Sequence, residues 1–117
     1  MYRIFIALLF INFCYSQSYY VYVAAESDDT VSVLKFDGDN FEETDKVTVG
    51  IMPTENEGPH GITIDPSGKY WYLTLAHGSP NGSLVKYSTE NNEPLSKVEL
   101  GLFPATMQIS PKTGLLY

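Results

Sequence analysis

Short apolar stretches with hydrophobic residues at every second position alternate with polar turns along most of the chain. In HGITI at 60–64, Ile62 and Ile64 share one face, and the aromatic run YWYLTLA follows at 70–76. A period of two predicts β-strands, and no stretch shows the 3.6-residue period of an amphipathic helix. The pattern therefore predicts an all-β chain of short antiparallel strands.

Turn signals separate these strands where the chain must reverse. DPSGK at 65–69 combines a proline that fixes φ with Gly68, which tolerates positive φ. SPNG at 79–82 ends in Asn-Gly, the dipeptide of tight hairpins. Two more strands are predicted, at 83–87 and 95–100. The result is a unit of four strands in about 45 residues.

The unit is repeated along the chain. PHGITIDP at 59–66 aligns with PATMQISP at 104–111, at an offset of 45. VLKF at 33–36 aligns with LVKY at 84–87 at an offset of 51, because one loop differs in length between the units. Four-stranded units at this period are typical of β-propeller blades, which bury their faces by stacking on one another. We therefore predict four-stranded antiparallel propeller blades.

The segment PHGITIDPSGKYWYLTL, followed by GSLVKY and KVELG, resembles the YVTN-type β-propeller repeat, and DDTVSVLKFDG at 28–38 fits the same pattern. The resemblance covers about residues 19–117. It implies a first blade that lacks its innermost strand, a complete second blade and a third blade that has begun. We expect the chain to be an N-terminal piece whose neighbours are downstream blades of the same chain. Such propellers have many roles, so the repeat indicates fold rather than function.

The first sixteen residues, MYRIFIALLFINFCYS, form a separate segment. Arg3 precedes an apolar run at 4–13, which ends near the small residue Ser16. This is the pattern of a secretory signal peptide, and the apolar run of about ten residues is shorter than the roughly 20 of a membrane span. We predict cleavage after Ser16, propeller blades from residue 17 to 117, and export to the periplasm or the extracellular space. A lipoprotein signal acylated at Cys14 is the alternative.

Charge and cysteine content narrow the possible partners. The chain has 14 acidic residues against 7 Lys and Arg, a net charge of −7, and ten of the acids lie between residues 26 and 57. A nucleic-acid-binding surface needs basic residues to neutralise phosphates, so this class of partner is excluded. The acidic run is interpreted as a solvated face. Cys14 is the only cysteine, so cleavage leaves no disulfide and no thiolate site.

Both histidines lie in the second unit, and they are the candidate site residues. In the hairpin predicted for 60–76, His60 lies opposite Thr74 or Leu75, and His77 follows just beyond. We therefore expect both imidazoles within several Å of each other at one end of the blade, on the rim where propellers bind ligands.

Imidazole is a common ligand of copper and zinc, and His60 and His77 are predicted to bind copper or another divalent metal. Two ligands are too few for a closed zinc site. Other blades could supply the rest, and the equivalent loop of the first blade offers oxygen ligands from Glu26, Asp28 and Asp29. The alternative interpretation is that both histidines belong to solvated turns at the strand ends.

The leading functional hypothesis is an exported binding or scaffold propeller that takes a small molecule or a protein at its rim. The alternative is an exported propeller enzyme. The segment resembles seven-bladed lactonases, with His60 at their Pro-His position but Ile62 where a second histidine is expected. It also resembles propellers of copper oxidoreductases related to nitrous oxide reductase, whose histidines come from several blades. A cell-surface adhesion or layer protein is a third hypothesis.

Overall fold

The computed structural model describes residues 17–52, 54–78 and 80–117. The strands are β1 (Tyr19–Ala25), β2 (Thr30–Phe36), β3 (Phe41–Thr48), β4 (Pro59–Ile64), β5 (Tyr70–Leu75), β6 (Ser83–Ser88) and β7 (Pro94–Glu99). One short 3₁₀ turn, Glu26–Asp28, joins β1 to β2. The prediction of an all-β chain is confirmed. The predicted signal peptide, 1–16, lies outside the described residues.

The strands form two antiparallel sheets with the orders β1-β2-β3 and β4-β5-β6-β7. Within each sheet, every strand pairs with the next one along the chain. The second sheet is the four-stranded unit predicted from the repeat, and its first hairpin has Ile64 opposite Trp71. In the described residues after β7, one isolated bridge joins Ile109 to Leu116.

The turn between β4 and β5 forms as its sequence predicts. The Asp65 carboxylate closes it, because its Oδ1 accepts the backbone N–H groups of Lys69 and Tyr70, both at 3.0 Å. Gly68 has φ +69°, the left-handed conformation that glycine adopts without steric cost. This turn fixes the register of the hairpin that carries His60.

The prediction of a tight Asn-Gly turn before β6 is wrong. Gly82 continues the pairing of β6 with β7: its N–H donates to the Gly101 carbonyl at 3.1 Å, and its carbonyl accepts from Leu100 N–H at 2.8 Å. In this connection the left-handed position is instead Gly78, with φ +72°. The Asn81 side chain donates to Glu99 Oε1 at 3.0 Å, which draws the dipeptide towards β7 rather than into a two-residue loop.

The core lies between the two sheets and is centred on Trp71. Its indole ring is fully buried and stacks on Tyr87, with 3.9 Å between ring centroids and 7° between planes. Tyr22 of the first sheet meets the same indole at 5.3 Å. The other buried members of the core are Val31, Val49, Leu73, Leu75 and Val85. Burial of this apolar surface stabilises the packing of one sheet on the other.

Two acids of the acidic run are not on a solvated face. Asp29 and Glu57 have relative exposures of only 9% and 4%. Both carboxylates accept backbone N–H groups, which is the condition for a charge to be buried. The interpretation of the run as solvated therefore fails at these two positions.

None of the helical turns in the described ranges is long and apolar enough to cross a membrane.

Candidate functional site

The two histidines meet at one end of the second sheet. His60 is the second residue of β4, and His77 lies two residues beyond the end of β5. Because Pro59 pairs with Leu75, the antiparallel register brings the two side chains to the same end, and their ring centroids are 5.4 Å apart. The register expected from the sequence thus agrees with the observed pairing.

Glu26 joins the two histidines from the neighbouring sheet. It is the first residue of the 3₁₀ turn that follows β1. Its Oε1 atom lies 3.0 Å from His60 Nε2 and 3.1 Å from His77 Nε2, so one carboxylate oxygen is shared by both imidazoles. We call Glu26, His60 and His77 the rim cluster.

The carboxyl group of Glu26 is held in its ionised form. The hydrogen bond from His77, together with the charge and the hydrogen bond of His60, lowers the pKa of Glu26 below its usual value. The side chain is exposed, so solvent reaches the carboxylate. The cluster therefore holds one carboxylate and two imidazoles, and each Nε2 must give up its proton and its hydrogen bond to Glu26 before it can bind a metal.

The other two acids that could have supplied ligands do not belong to the cluster. Asp29 is turned inward, where its two carboxylate oxygens accept the N–H groups of Glu57 and Gly58, each at 2.9 Å. Asp28 is exposed and lies outside the group of ligand atoms that converge on the histidines. Of the three candidate acids, Glu26 is the one whose carboxylate lies close to both histidines.

The segment held by Asp29 also positions His77. The His77 N–H donates to the Glu57 carbonyl at 2.8 Å, and Ala76 N–H donates to the Gly58 carbonyl at 2.9 Å. These bonds extend the pairing of β4 and β5 past Leu75. Gly58 has φ +61°, and a Cβ there would overlap the His77 ring, so only glycine allows this close approach.

Sequence reasoning missed Phe103, which comes from the loop after β7. Its ring packs edge-on against both imidazoles, with centroids 5.0 Å from His60 and 5.0 Å from His77. The available signal was the apolar pair Leu102-Phe103 in the short loop that replaces 51–58 of the preceding unit. Nothing in that pair indicates which residues it contacts.

The spacing within the cluster fits a transition-metal ion. The three ligand atoms lie within 4.8 Å of one another. A tetrahedral zinc ion has ligands at about 2.0–2.2 Å, which places neighbouring ligands about 3.3 Å apart. Each imidazole nitrogen would have to move slightly away from the carboxylate oxygen, and the two nitrogens, which lie within 4.8 Å of each other, would have to reach about the same spacing. Three protein ligands leave one position for water or substrate.

A small polar cavity adjoins the cluster on the side of His77. Its volume is about 430 Å³, and its lining includes His77, Asn81, Lys97 and Glu99. This volume is within the range of small-molecule sites. Lys97 lies 3.7 Å from Glu57 Oε1, so its charge is partly compensated. A groove of about 560 Å³ between β3 and β7 is larger, but it contains no residue of the rim cluster.

Comparisons with known proteins give a fold but no family. No family model and no curated protein matches the chain. A crystal structure of a candidate 6-phosphogluconolactonase from Bacteroides fragilis superposes with a TM-score of 0.64 at 22% identity. The match covers 81% of this chain and 27% of that one, so the chain spans about a quarter of the length of its structural neighbour. The two sheets therefore share the fold of that protein, and they form an incomplete β-propeller.

Proposed function

We propose that the chain is part of a ligand-binding propeller and that its rim cluster binds a divalent transition metal. The observation that carries the proposal is the single carboxylate oxygen of Glu26 placed at hydrogen-bond distance from two imidazole nitrogens. A carboxylate and two imidazoles are the donor set of many zinc and copper sites. The three ligand atoms already converge to within 4.8 Å, and a metal would replace the hydrogen bonds that now join them.

The test is titration of the full chain with Zn²⁺ and with Cu²⁺, by calorimetry and by elemental analysis after dialysis. We expect one ion per chain. His60→Ala, His77→Ala and Glu26→Gln each remove one of the three ligands. Each should therefore weaken binding by more than the roughly 10–100-fold typical of changes to residues that only orient ligands.

The matched control is Glu55→Gln, which removes the same charge from an exposed glutamate outside the cluster. It should leave metal affinity unchanged. Binding should also raise the free energy of unfolding, by about 2.7 kcal/mol when the free metal is 100 times the dissociation constant. Equal binding by the parent chain and by His60→Ala would overturn the proposal.

A second candidate function is hydrolysis of a lactone ring. Two observations favour it: the fold shared with a candidate lactonase, and the cavity beside His77. The Glu26 carboxylate can orient an imidazole through one ring nitrogen, and the other nitrogen can then accept a proton from an attacking water. Water adds to the ring carbonyl, the ring C–O bond breaks, and a hydroxy acid forms.

The charge of the site argues for an uncharged lactone over a phosphorylated one. The rim cluster carries a carboxylate, and Lys97 in the adjoining cavity is already near Glu57. A pH-stat assay should compare an uncharged lactone with its phosphorylated analogue, in the parent chain and in His77→Ala. Ring opening at the same rate in both proteins would exclude this second candidate and leave metal binding unaffected.

A further inference from the structure

Phe103 contacts both imidazoles of the rim cluster although it does not belong to the β4–β5 hairpin that carries them. Its ring centroid is 5.0 Å from that of each histidine, and both contacts are edge-on. The residue is 52% exposed, so it does not fill the core. It forms an apolar wall on one side of the cluster.

The backbone at Phe103 is strained without an evident structural reason. Among the described residues, the non-glycine residues with positive φ are Asp29, Asn92 and Phe103, the last with φ +49°. The first two use the conformation to place hydrogen-bonding groups: Asp29 accepts two N–H groups, and Asn92 bonds to Trp71 and Asp45. Phe103 has no polar group, and a bulky residue in this region costs about 1–2 kcal/mol.

The loop is held in this conformation from both sides. Before Phe103, Gly101 accepts a hydrogen bond from Gly82 N–H at 3.1 Å. After it, the ring of Pro104 packs so closely on Gly82 that a Cβ there would overlap it. These contacts hold the backbone on both sides of Phe103 while its ring lies against the histidines. Strained backbone conformations cluster at functional sites.

We propose that Phe103 is the specificity-determining residue of the rim cluster and shifts its metal preference away from copper(II) towards tetrahedral zinc. The inference rests on the proposed metal-binding function. An apolar wall beside the ligands restricts solvent access and limits how many waters a bound metal can keep. Three protein ligands and one water complete the tetrahedral coordination of zinc. Copper(II) prefers a tetragonal arrangement with more ligands, which the wall disfavours.

The experiment compares the parent chain with Phe103→Ala and with the bulk-retaining control Phe103→Leu. Zn²⁺ and Cu²⁺ affinities are measured for each, and Co²⁺ is used as a spectroscopic substitute. In Phe103→Ala the affinity ratio of copper to zinc should rise at least tenfold. The visible absorption of bound Co²⁺ should weaken, because six-coordinate cobalt absorbs far less than four-coordinate cobalt. Phe103→Leu should behave like the parent.

The outcomes separate this inference from the function on which it rests. If the parent chain binds none of the three metals, the metal-binding function fails. If the parent binds metal but Phe103→Ala keeps the same copper-to-zinc ratio and cobalt spectrum, only the role of Phe103 is refuted. Because the side chain is half exposed, its loss leaves no buried cavity, and the urea midpoint of the metal-free variant should confirm that it is folded.

Discussion

Replacement of the buried Asp29 by alanine should destabilise the chain much more than the loss of an exposed acid from the same run. The carboxylate accepts the N–H groups of Glu57 and Gly58, so it helps to tie the β1–β2 turn to the segment leading into β4. Each buried donor left without an acceptor costs about 1–3 kcal/mol. Alanine is also less tolerant than aspartate of the φ of +49° at this position.

We therefore expect Asp29→Ala to lower the free energy of unfolding by about 3–5 kcal/mol. Asp29→Asn keeps one acceptor oxygen and tolerates the backbone conformation, so its loss should be about 1–3 kcal/mol. The assay is urea denaturation followed by tryptophan fluorescence, since Trp71 is the only tryptophan and is fully buried. Hydrogen exchange at the Glu57 and Gly58 amides provides a local measurement.

The matched control is Asp28→Ala, which removes an exposed neighbouring carboxylate and should change stability by less than about 0.5 kcal/mol. If Asp29→Ala and Asp28→Ala shift the urea midpoint equally, the Asp29 carboxylate does not stabilise the chain as a buried acceptor. Unchanged exchange rates at the two amides in Asp29→Asn would contradict that role independently.

Three further predictions concern the core, its ionisation and the N-terminal segment. Asn92→Ala should cost about 1–3 kcal/mol in urea denaturation, because it leaves the indole N–H of Trp71 without its acceptor at 3.1 Å, and an unchanged midpoint would contradict this. Burial, with a smaller contribution from Glu57, raises the pKa of Tyr87 to about 12. Since the folded value exceeds the unfolded value of about 10, the stability it contributes is complete below pH 10 and is lost as the pH rises through 12. Tyr87→Phe should remove that part of the alkaline decline in melting temperature. Finally, the intact mass of the mature protein should correspond to a chain that begins at Gln17, and a retained 1–16 segment would refute export by this signal.

The amino-acid pattern was sufficient for the sheets and for part of the site. The period of two placed β4 and β5, and the turn at 65–69 set their register, so the proximity of His60 and His77 follows from the pattern alone. The sequence does not show which of Glu26, Asp28 and Asp29 contacts the histidines. Successive residues of a 3₁₀ turn point in directions about 120° apart, and only the position of the turn against β4 decides which one faces the histidines.

The position of Phe103 and the conformation at Asn81-Gly82 depend on contacts between distant loops, so no local sequence pattern predicts them. Phe103 reaches the cluster because Gly82 and Pro104 fix its backbone, and a positive φ at phenylalanine has no sequence signal. The Asn-Gly turn failed for a related reason. Asn81 and Gly82 are engaged by Glu99 and Gly101 of the neighbouring strand and the loop that follows it, and these partners outweigh the local preference of the dipeptide for a tight hairpin.

The rim cluster lies across the seam between the two sheets. Glu26 comes from the turn that follows β1 in the first sheet, the histidines come from the second sheet, and the Phe103 wall comes from the loop after β7. Because both hydrogen bonds of Glu26 cross the seam, an increase of about 1 Å in the distance from its oxygen to the imidazole nitrogens would take both beyond hydrogen-bonding distance. The geometry of the cluster therefore depends on how the two sheets are aligned, and a ligand that contacted all three residues would hold one sheet against the other.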